Sequence, residues 1–283
     1  MQNILITGSS GFIGSNILNS LHRNYNIYIT SRKNVSKKRK KVHVIYFKNH
    51  SELNKKLKKI KIDTVVHCGT HYVKNHSFSD IKKLITANIE FGVILLENLK
   101  SMKVKKFINF STVWQNYNGK PDMAYNLYAA SKISFTKILN YYAHNFVKIK
   151  FYNLFISDTY GKNDKRNKLI NTIKKKIKNK KEIKIISKKL TVNLLNAEDV
   201  TNAIKIILRR SIKPGNYNVI NNKYFKIYDL LKKVSKYKNF KSRLKWGNNF
   251  FKKEKVINFN KLPGWSPKNS TFVNLEKFIV GQT

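Results

Sequence analysis

Cysteine, acidic side chains, arginine and long apolar runs are all scarce in this chain of 283 residues. The single cysteine, Cys68, excludes an internal disulfide and points to a reducing, cytoplasmic setting. No apolar stretch approaches the roughly 20 residues that a membrane helix needs. The apolar residues before Gly8 lack a basic flank and run straight into a glycine loop, so no signal peptide is expected. Only 14 acidic residues oppose 58 basic ones, a formal charge of +44. Such a charge raises nucleic-acid or anionic-membrane binding as a reading. Arginine argues the other way: 7 of the basic residues are Arg and 51 are Lys, spread over the whole chain. A dedicated nucleic-acid site favours the guanidinium fork. The charge therefore reads first as compositional drift shared with Asn, Ile, Tyr and Phe, and nucleic acid is not an expected partner. The field still favours approach of an anion such as a sugar diphosphate.

What is present is alternation. Apolar residues are 41% of the chain, as in a globular protein. Strand-like runs at 3–7, 26–31, 42–47, 63–69, 106–111 and 148–155 alternate with helical patterns at 13–23, 51–60 (Ser51 as cap), 79–101 and 126–145. Continuous apolar strands separated by helices predict an α/β fold, a doubly wound parallel Rossmann sheet. Beyond residue 160 the pattern becomes polar and basic. A smaller, partly discontinuous C-terminal lobe is expected: residues 1–160 as dinucleotide domain, 161–283 as substrate lobe, with about 191–222 returning to the first domain. The Lys runs at 37–41 and 174–181 read as solvated surface.

The loop Thr7-Gly8-Ser9-Ser10-Gly11-Phe12-Ile13-Gly14 follows the first strand and opens the first helix. Glycines there let the backbone approach a pyrophosphate facing the helix N-terminus, so Gly8, Ser10, Gly11, Phe12, Ile13 and Gly14 are candidate dinucleotide contacts. The second strand ends Ile29-Thr30-Ser31-Arg32-Lys33. It has no carboxylate for the ribose hydroxyls of NAD, and Arg32 suits the extra phosphate of NADP; NADP is expected, NAD is the alternative.

Tyr128 and Lys132 stand at i and i+4 on one helix face. An ammonium beside a phenol favours the phenolate, which makes Tyr128 a candidate general acid/base. The spacing alone says little. The chain holds three such pairs, with Tyr228/Lys232 and Tyr237/Lys241, about as many as its 15 Tyr and 51 Lys make by chance. Context separates them: only the first follows a strand ending Ser111-Thr112 and sits among small residues, Ala129, Ala130 and Ser131. His67, His71 and His76 read as loop histidines near cofactor or substrate, and no metal is expected.

TGSSGFIG, VVHCGTHY (65–72), ANIEFGVILLENL (87–99), FSTVWQNY (110–117), YAASK (128–132), LNAEDV (195–200) and LPGWSP (262–267) occur in this order. Together they resemble the extended short-chain dehydrogenases, the NAD-dependent epimerase/dehydratase family, over nearly the whole chain. Within it the stretch from Phe110 to Lys132 most resembles the reductases of the CDP-abequose synthase group. The resemblance implies Tyr128 as acid/base, Lys132 as the residue on the nicotinamide ribose, and Thr112 (or Ser111) as the hydroxyl on the substrate oxygen. It further implies Cys68, Gly69 and Asn88 near the cofactor. Thr70, His71, Trp114, Asn153, Arg166, Lys168 and Arg209 would lie near a nucleotide-diphosphate sugar, and the chain would be a homodimer packed through helices around 88–100 and 128–142. Family dehydratases carry an Asp-Glu pair after the Ser/Thr; here Val113-Trp114 follows Thr112, which argues against elimination. The usual Val-Tyr-Gly after the Ser is replaced by Trp114-Gln115-Asn116, which changes the pocket wall. The implied activity is NADPH-dependent reduction of a 4-keto deoxy nucleotide-sugar for surface polysaccharide. An NAD-dependent epimerase is the alternative; a silent dinucleotide-binding protein and a basic nucleic-acid binder stand behind both.

Overall fold

The computed structural model describes residues 1–34, 39–146, 148–237, 243–248 and 260–282. Lys37 and Lys38 of the first Lys run and Lys241 of the third Tyr/Lys pair lie outside the described residues.

Seven parallel strands form the central sheet. In chain order they are β1 (Asn3–Thr7), β2 (Asn26–Ser31), β3 (Val42–Tyr46), β4 (Thr64–His67), β5 (Lys106–Thr112), β6 (Lys150–Ile156) and, after four short strands, β11 (Gly215–Val219). Across the sheet the order is β11-β6-β5-β4-β1-β2-β3. The chain leaves β1 towards β2 and β3, then crosses back to place β4 on the other side of β1. Ligands of open α/β sheets bind at such a reversal, outside the carboxyl ends of the strands. The loops after β1 and β4 flank that point.

Helices cover both faces because the strands are apolar on both. On one face α1 (Phe12–Leu21) and α7 (Ala197–Arg209) pack over Ile4, Ile6, Ile108 and Leu154. On the other, α2 (His50–Lys58), α4 (Phe91–Leu99) and α5 (Leu127–Asn145) pack over Leu5, Val65, Phe107 and Phe151. A third apolar cluster holds the C-terminal lobe. It joins α6 (Leu169–Lys178), α8 (Ile227–Tyr237) and α9 (Phe272–Val280) to short strand pairs: β7 (Asp158–Tyr160) with β10 (Leu194–Asn196), β8 (Ile183–Ile185) with β13 (Leu244–Trp246), and β9 (Thr191–Val192) with β12 (Phe225–Lys226).

Two local expectations need correction. The cap of α2 is Asn49, not Ser51: Asn49 is extended and its Oδ1 accepts from Glu52 N at 2.9 Å. The helix expected over 79–101 is interrupted. It is α3 (Phe78–Ile85), one wide π turn over Thr86–Glu90, then α4. The apolar period survives such a turn, so the sequence pattern does not reveal it; single π turns concentrate at functional sites, and this one carries Asn88.

The tail is tied to α7 by one buried carboxylate. Asp199 accepts from Lys268 N, from Asn269 N and Nδ2, and from Ser270 Oγ, while its carbonyl accepts from Trp265 Nε1. Ser270 Oγ in turn accepts from Asn196 N, at the start of α7. Asp199→Ala is expected to destabilise the fold by about 3 kcal/mol, because several buried donors lose their acceptor at once. A denaturant midpoint unchanged from wild type would show that water replaces the carboxylate without cost.

Candidate active site

The glycine loop is shaped by contacts that exclude side chains. Gly8 has φ +64°, and a Cβ there would lie 2.6–2.7 Å from the backbone of Cys68 and Gly69. A Cβ on Gly14 would lie 2.2 Å from Gly8 O. The first turn of α1 is thus pressed against the loop after β1, and β1 against the loop after β4. Gly11, the residue before α1, brings no side-chain cap, so the first N–H groups of the helix are left to a ligand. Ser10 and Gly11 are exposed. Arg32 stands exposed at the carboxyl end of β2, the neighbour of β1.

Beneath the loop lies a dry cluster. His67 is buried among the rings of Phe91, Phe107 and Phe135. Its Nδ1 meets Thr7 Oγ1 at 2.8 Å, and the same oxygen accepts from Gly69 N. Burial, helped by the Lys132 charge, holds the imidazole pKa down to about 3, so it is neutral at pH 7. Burial likewise pushes the Cys68 thiol well above its ordinary range. Lys132 is 3% exposed, and burial lowers its pKa to about 8. Its Nζ lies 5.8 Å from the centroid of Phe135 and makes no hydrogen bond or ion pair among the described residues. A buried ammonium without a partner is costly. The ribose hydroxyls of a dinucleotide laid along the glycine loop would supply acceptors, so loop, uncapped helix and Lys132 together fit that group.

Tyr128 stands in the first turn of α5, behind Asn126, whose Oδ1 caps the helix by accepting from Ala129 N at 2.9 Å. The phenol is half-buried. Burial raises its pKa, and the charge of Lys168 and the hydroxyl of Thr70 pull it back. The ring of Tyr72 meets it edge-on, centroids 4.9 Å apart. Lys168 Nζ lies 3.9 Å from the Tyr72 centroid and 2.9 Å from Asp158 Oδ1. The cations acting on the phenol therefore come from the lobe, while Lys132, one turn along α5, is directed to Cys68 and His67.

The end of β5 separates its two hydroxyls. Ser111 Oγ is spent on Thr136 Oγ1 of α5 at 3.0 Å. Thr112 Oγ1 accepts from Trp114 N at 3.3 Å, opening a 3-10 turn over Val113–Gly119. Its own proton has no acceptor among the described residues, so Thr112 keeps a donor for a substrate oxygen. Trp114 packs on Tyr125 at 4.8 Å and accepts from Tyr125 N, tying this turn to the start of α5.

Asn88 spends its whole amide inside the protein. Oδ1 accepts from Thr70 Oγ1 and His71 N; Nδ2 donates to His71 O and Ser131 Oγ. With all four positions used, it fixes the loop after β4 against α5 and leaves nothing for the cofactor itself. Arg166 is also engaged, with Asp164, with Thr159 O and Oγ1, and over the Phe12 ring at 4.2 Å. It braces the glycine loop against the lobe.

Two expected substrate residues are elsewhere. Asn153 lies mid-strand in β6, where it accepts from Asn109 Nδ2 and donates to Asn216 Oδ1. It borders a cavity of about 310 Å³ under the C-terminal half of α5. Arg209 is exposed at the end of α7. That end lies against Lys106, the first residue of β5, because Lys106 Nζ donates to the carbonyls of Ile207 and Leu208. Arg209 is thus at the amino edge of the sheet and Thr112 at the carboxyl edge. Both positions were implied by the family resemblance, and in a chain rich in Asn and basic residues no local pattern singles them out. The reading missed Tyr72 and Asp158. An acid beside the site was a usable signal in a chain with 14 acidic residues. Among the described residues no group of three His, Cys, Asp or Glu could hold a metal ion, and no helix is long and apolar enough to cross a membrane.

Residues 4–219 match the model of the NAD dependent epimerase/dehydratase family. CDP-abequose synthase of Salmonella muenchen is 24% identical over 98% of this chain and 97% of its own. Among solved structures, dTDP-glucose 4,6-dehydratase from Bacillus anthracis in complex with NAD superposes with TM-score 0.82 at 19% identity, covering 99% of this chain and 96% of that one. UDP-glucose 4-epimerase from Thermotoga maritima with UDP-glucose gives TM-score 0.82 at 18% identity, covering 98% and 97%.

Proposed function

The chain belongs to the NAD dependent epimerase/dehydratase family, and from that premise we propose that it reduces a 4-keto deoxy-sugar carried on a nucleoside diphosphate, with NADPH as reductant. The observation that carries this reading is the acid/base inventory around Tyr128. Asp158 is paired with Lys168 and Asp164 with Arg166, and Val113-Trp114 follows Thr112. Tyr128 is thus the acid/base group these residues leave unengaged. Reduction of a ketone needs one proton donor; elimination of water needs an acid and a base. The similarity to CDP-abequose synthase along nearly the full chain supports the same reading.

When bound, the nicotinamide supplies or takes a hydride. The protein's residues do the rest. The glycine loop and the first turn of α1 bind the pyrophosphate. Lys132 holds the nicotinamide ribose. Thr112 donates to the substrate carbonyl oxygen and Tyr128 gives it a proton, so charge on that oxygen is met as it develops. Arg32, exposed at the carboxyl end of β2, would meet the extra phosphate of NADP.

The cofactor is the first test. The purified protein is expected to be free of nucleotide after denaturation. By fluorescence titration it is expected to bind NADPH about tenfold more tightly than NADH, or 1.4 kcal/mol, and Arg32→Ser is expected to erase that preference. Tightly held NAD, released only on denaturation, would replace the reductase with an epimerase.

A further inference from the structure

The residues expected to meet a diphosphate, Lys168 and Arg166, are already paired with carboxylates. What remains unexplained is why Lys168 is laid across an aromatic ring. Its ammonium bridges Asp158 Oδ1 at 2.9 Å and the face of Tyr72 at 3.9 Å. The other side of that contact is Tyr128, which Tyr72 meets edge-on at 4.9 Å between centroids. Asp158, Lys168, Tyr72 and Tyr128 therefore form one continuous row from the lobe to the head of α5.

We propose that Lys168 is a positioning residue for Tyr128: seated on Tyr72 by Asp158, it sets the ionisation of the phenol from the side of the lobe. The inference rests on the reading of Tyr128 as acid/base. A cation on a ring face is held more firmly where water is partly excluded, and Lys168 has only 19% of its side chain exposed. Coulomb attraction from a cation seated on the neighbouring ring favours phenolate over phenol. The direction of the pKa effects agrees, since Lys168 is the first among the groups that lower Tyr128 against its burial. The other groups near the row are also accounted for. Thr70 and Tyr72 face the phenol from the loop after β4, where His71 lies 3.9 Å from Asp80. Arg166, paired with Asp164, lies on the lobe side, and Lys132 is on α5 itself. Because Lys168 and Asp158 belong to the lobe while Tyr128 belongs to α5, the phenol is tuned only when lobe and sheet are docked.

The test is a direct titration of the Tyr128 phenol by NMR in the full chain carrying ring-labelled tyrosine. Its resonance is identified by its loss in Tyr128→Phe. Lys168→Met is expected to raise the phenol pKa by about one unit, and Lys168→Arg to restore it. Lys168 precedes α6 without capping it by a side-chain bond, so the helix does not depend on this side chain. Tyr72→Leu, which removes the seat, is a second variant expected to move the pKa the same way. A phenol unmoved in Lys168→Met, or moved equally in Lys168→Arg, would overturn the proposal. The titration needs no substrate. Turnover surviving Tyr128→Phe would instead remove the acid/base reading on which the proposal rests.

Discussion

Tyr128→Phe is expected to cut turnover of a 4-keto nucleotide-sugar by about a thousandfold and to leave NADPH affinity within about threefold of wild type. The variant deletes one oxygen at the head of α5 and keeps the ring that packs on Tyr72. Neither the glycine loop nor Lys132 is touched, so the dinucleotide surface is preserved. The proton, by contrast, loses its source: the nearby carboxylates are engaged by Lys168 and Arg166, and His67 is buried and neutral beneath the loop. Water could deliver a proton, but only without the placed donor that general acid catalysis requires. A loss below about tenfold, or 1.4 kcal/mol in barrier, would remove Tyr128 from the chemistry. Weakened NADPH binding in parallel would mean that the phenol braces the cofactor instead.

Gly14→Ala is expected to abolish dinucleotide binding, by at least about a hundredfold, and to destabilise the fold by about 3 kcal/mol. The added methyl would meet Gly8 O at 2.2 Å, Gly8 C at 2.8 Å and Ser9 Cα at 2.9 Å. All three are backbone atoms with no rotamer in which to retreat. Relief requires α1 to move off the loop, and the N–H groups that would meet a pyrophosphate move with it. Gly11→Ala is the internal comparison. Its Cβ meets one atom, Gly8 O at 3.2 Å, so a displacement of a few tenths of an ångström suffices and the losses are expected to be smaller. Fluorescence titration and a denaturant midpoint on the same samples separate the two effects. Full dinucleotide affinity in Gly14→Ala would show that the loop is not the pyrophosphate site.

The legible parts of this site are those that depend on residue spacing along one element. Tyr128 and Lys132 share a helix face because a helix repeats every 3.6 residues. Gly8, Gly11 and Gly14 are informative because a strand precedes them and a helix follows. Ser111 and Thr112 were both readable as hydroxyls at a strand end. Their separation was not, since it depends on Thr136 of a helix 25 residues onward, which accepts one and not the other. Asn88 shows a similar limit. Its place behind the cofactor was implied by resemblance, but the π turn that aims it, and the four bonds that occupy it, have no mark in the apolar pattern. The positions of Asn153 and Arg209 were implied by the resemblance and by no pattern in the chain. In a chain this rich in Asn and basic residues, identity alone carries no position, and one lies mid-strand, the other at the far edge of the sheet.

The parallel α/β architecture, the glycine loop between β1 and α1, and the shared helix face of Tyr128 and Lys132 were legible in the chain alone, because each is encoded by local periodicity or by glycines between adjacent elements. Which cation faces which group depends on the folded chain. Lys132 comes to lie under the loop beside Cys68 and His67, while Lys168, 96 residues after Tyr72 and 10 after Asp158 in the chain, is folded onto the phenol's neighbour. With 51 lysines in the chain, charge is everywhere in the sequence. Its effect depends on distance and burial, and those exist only once the lobe has closed on the sheet.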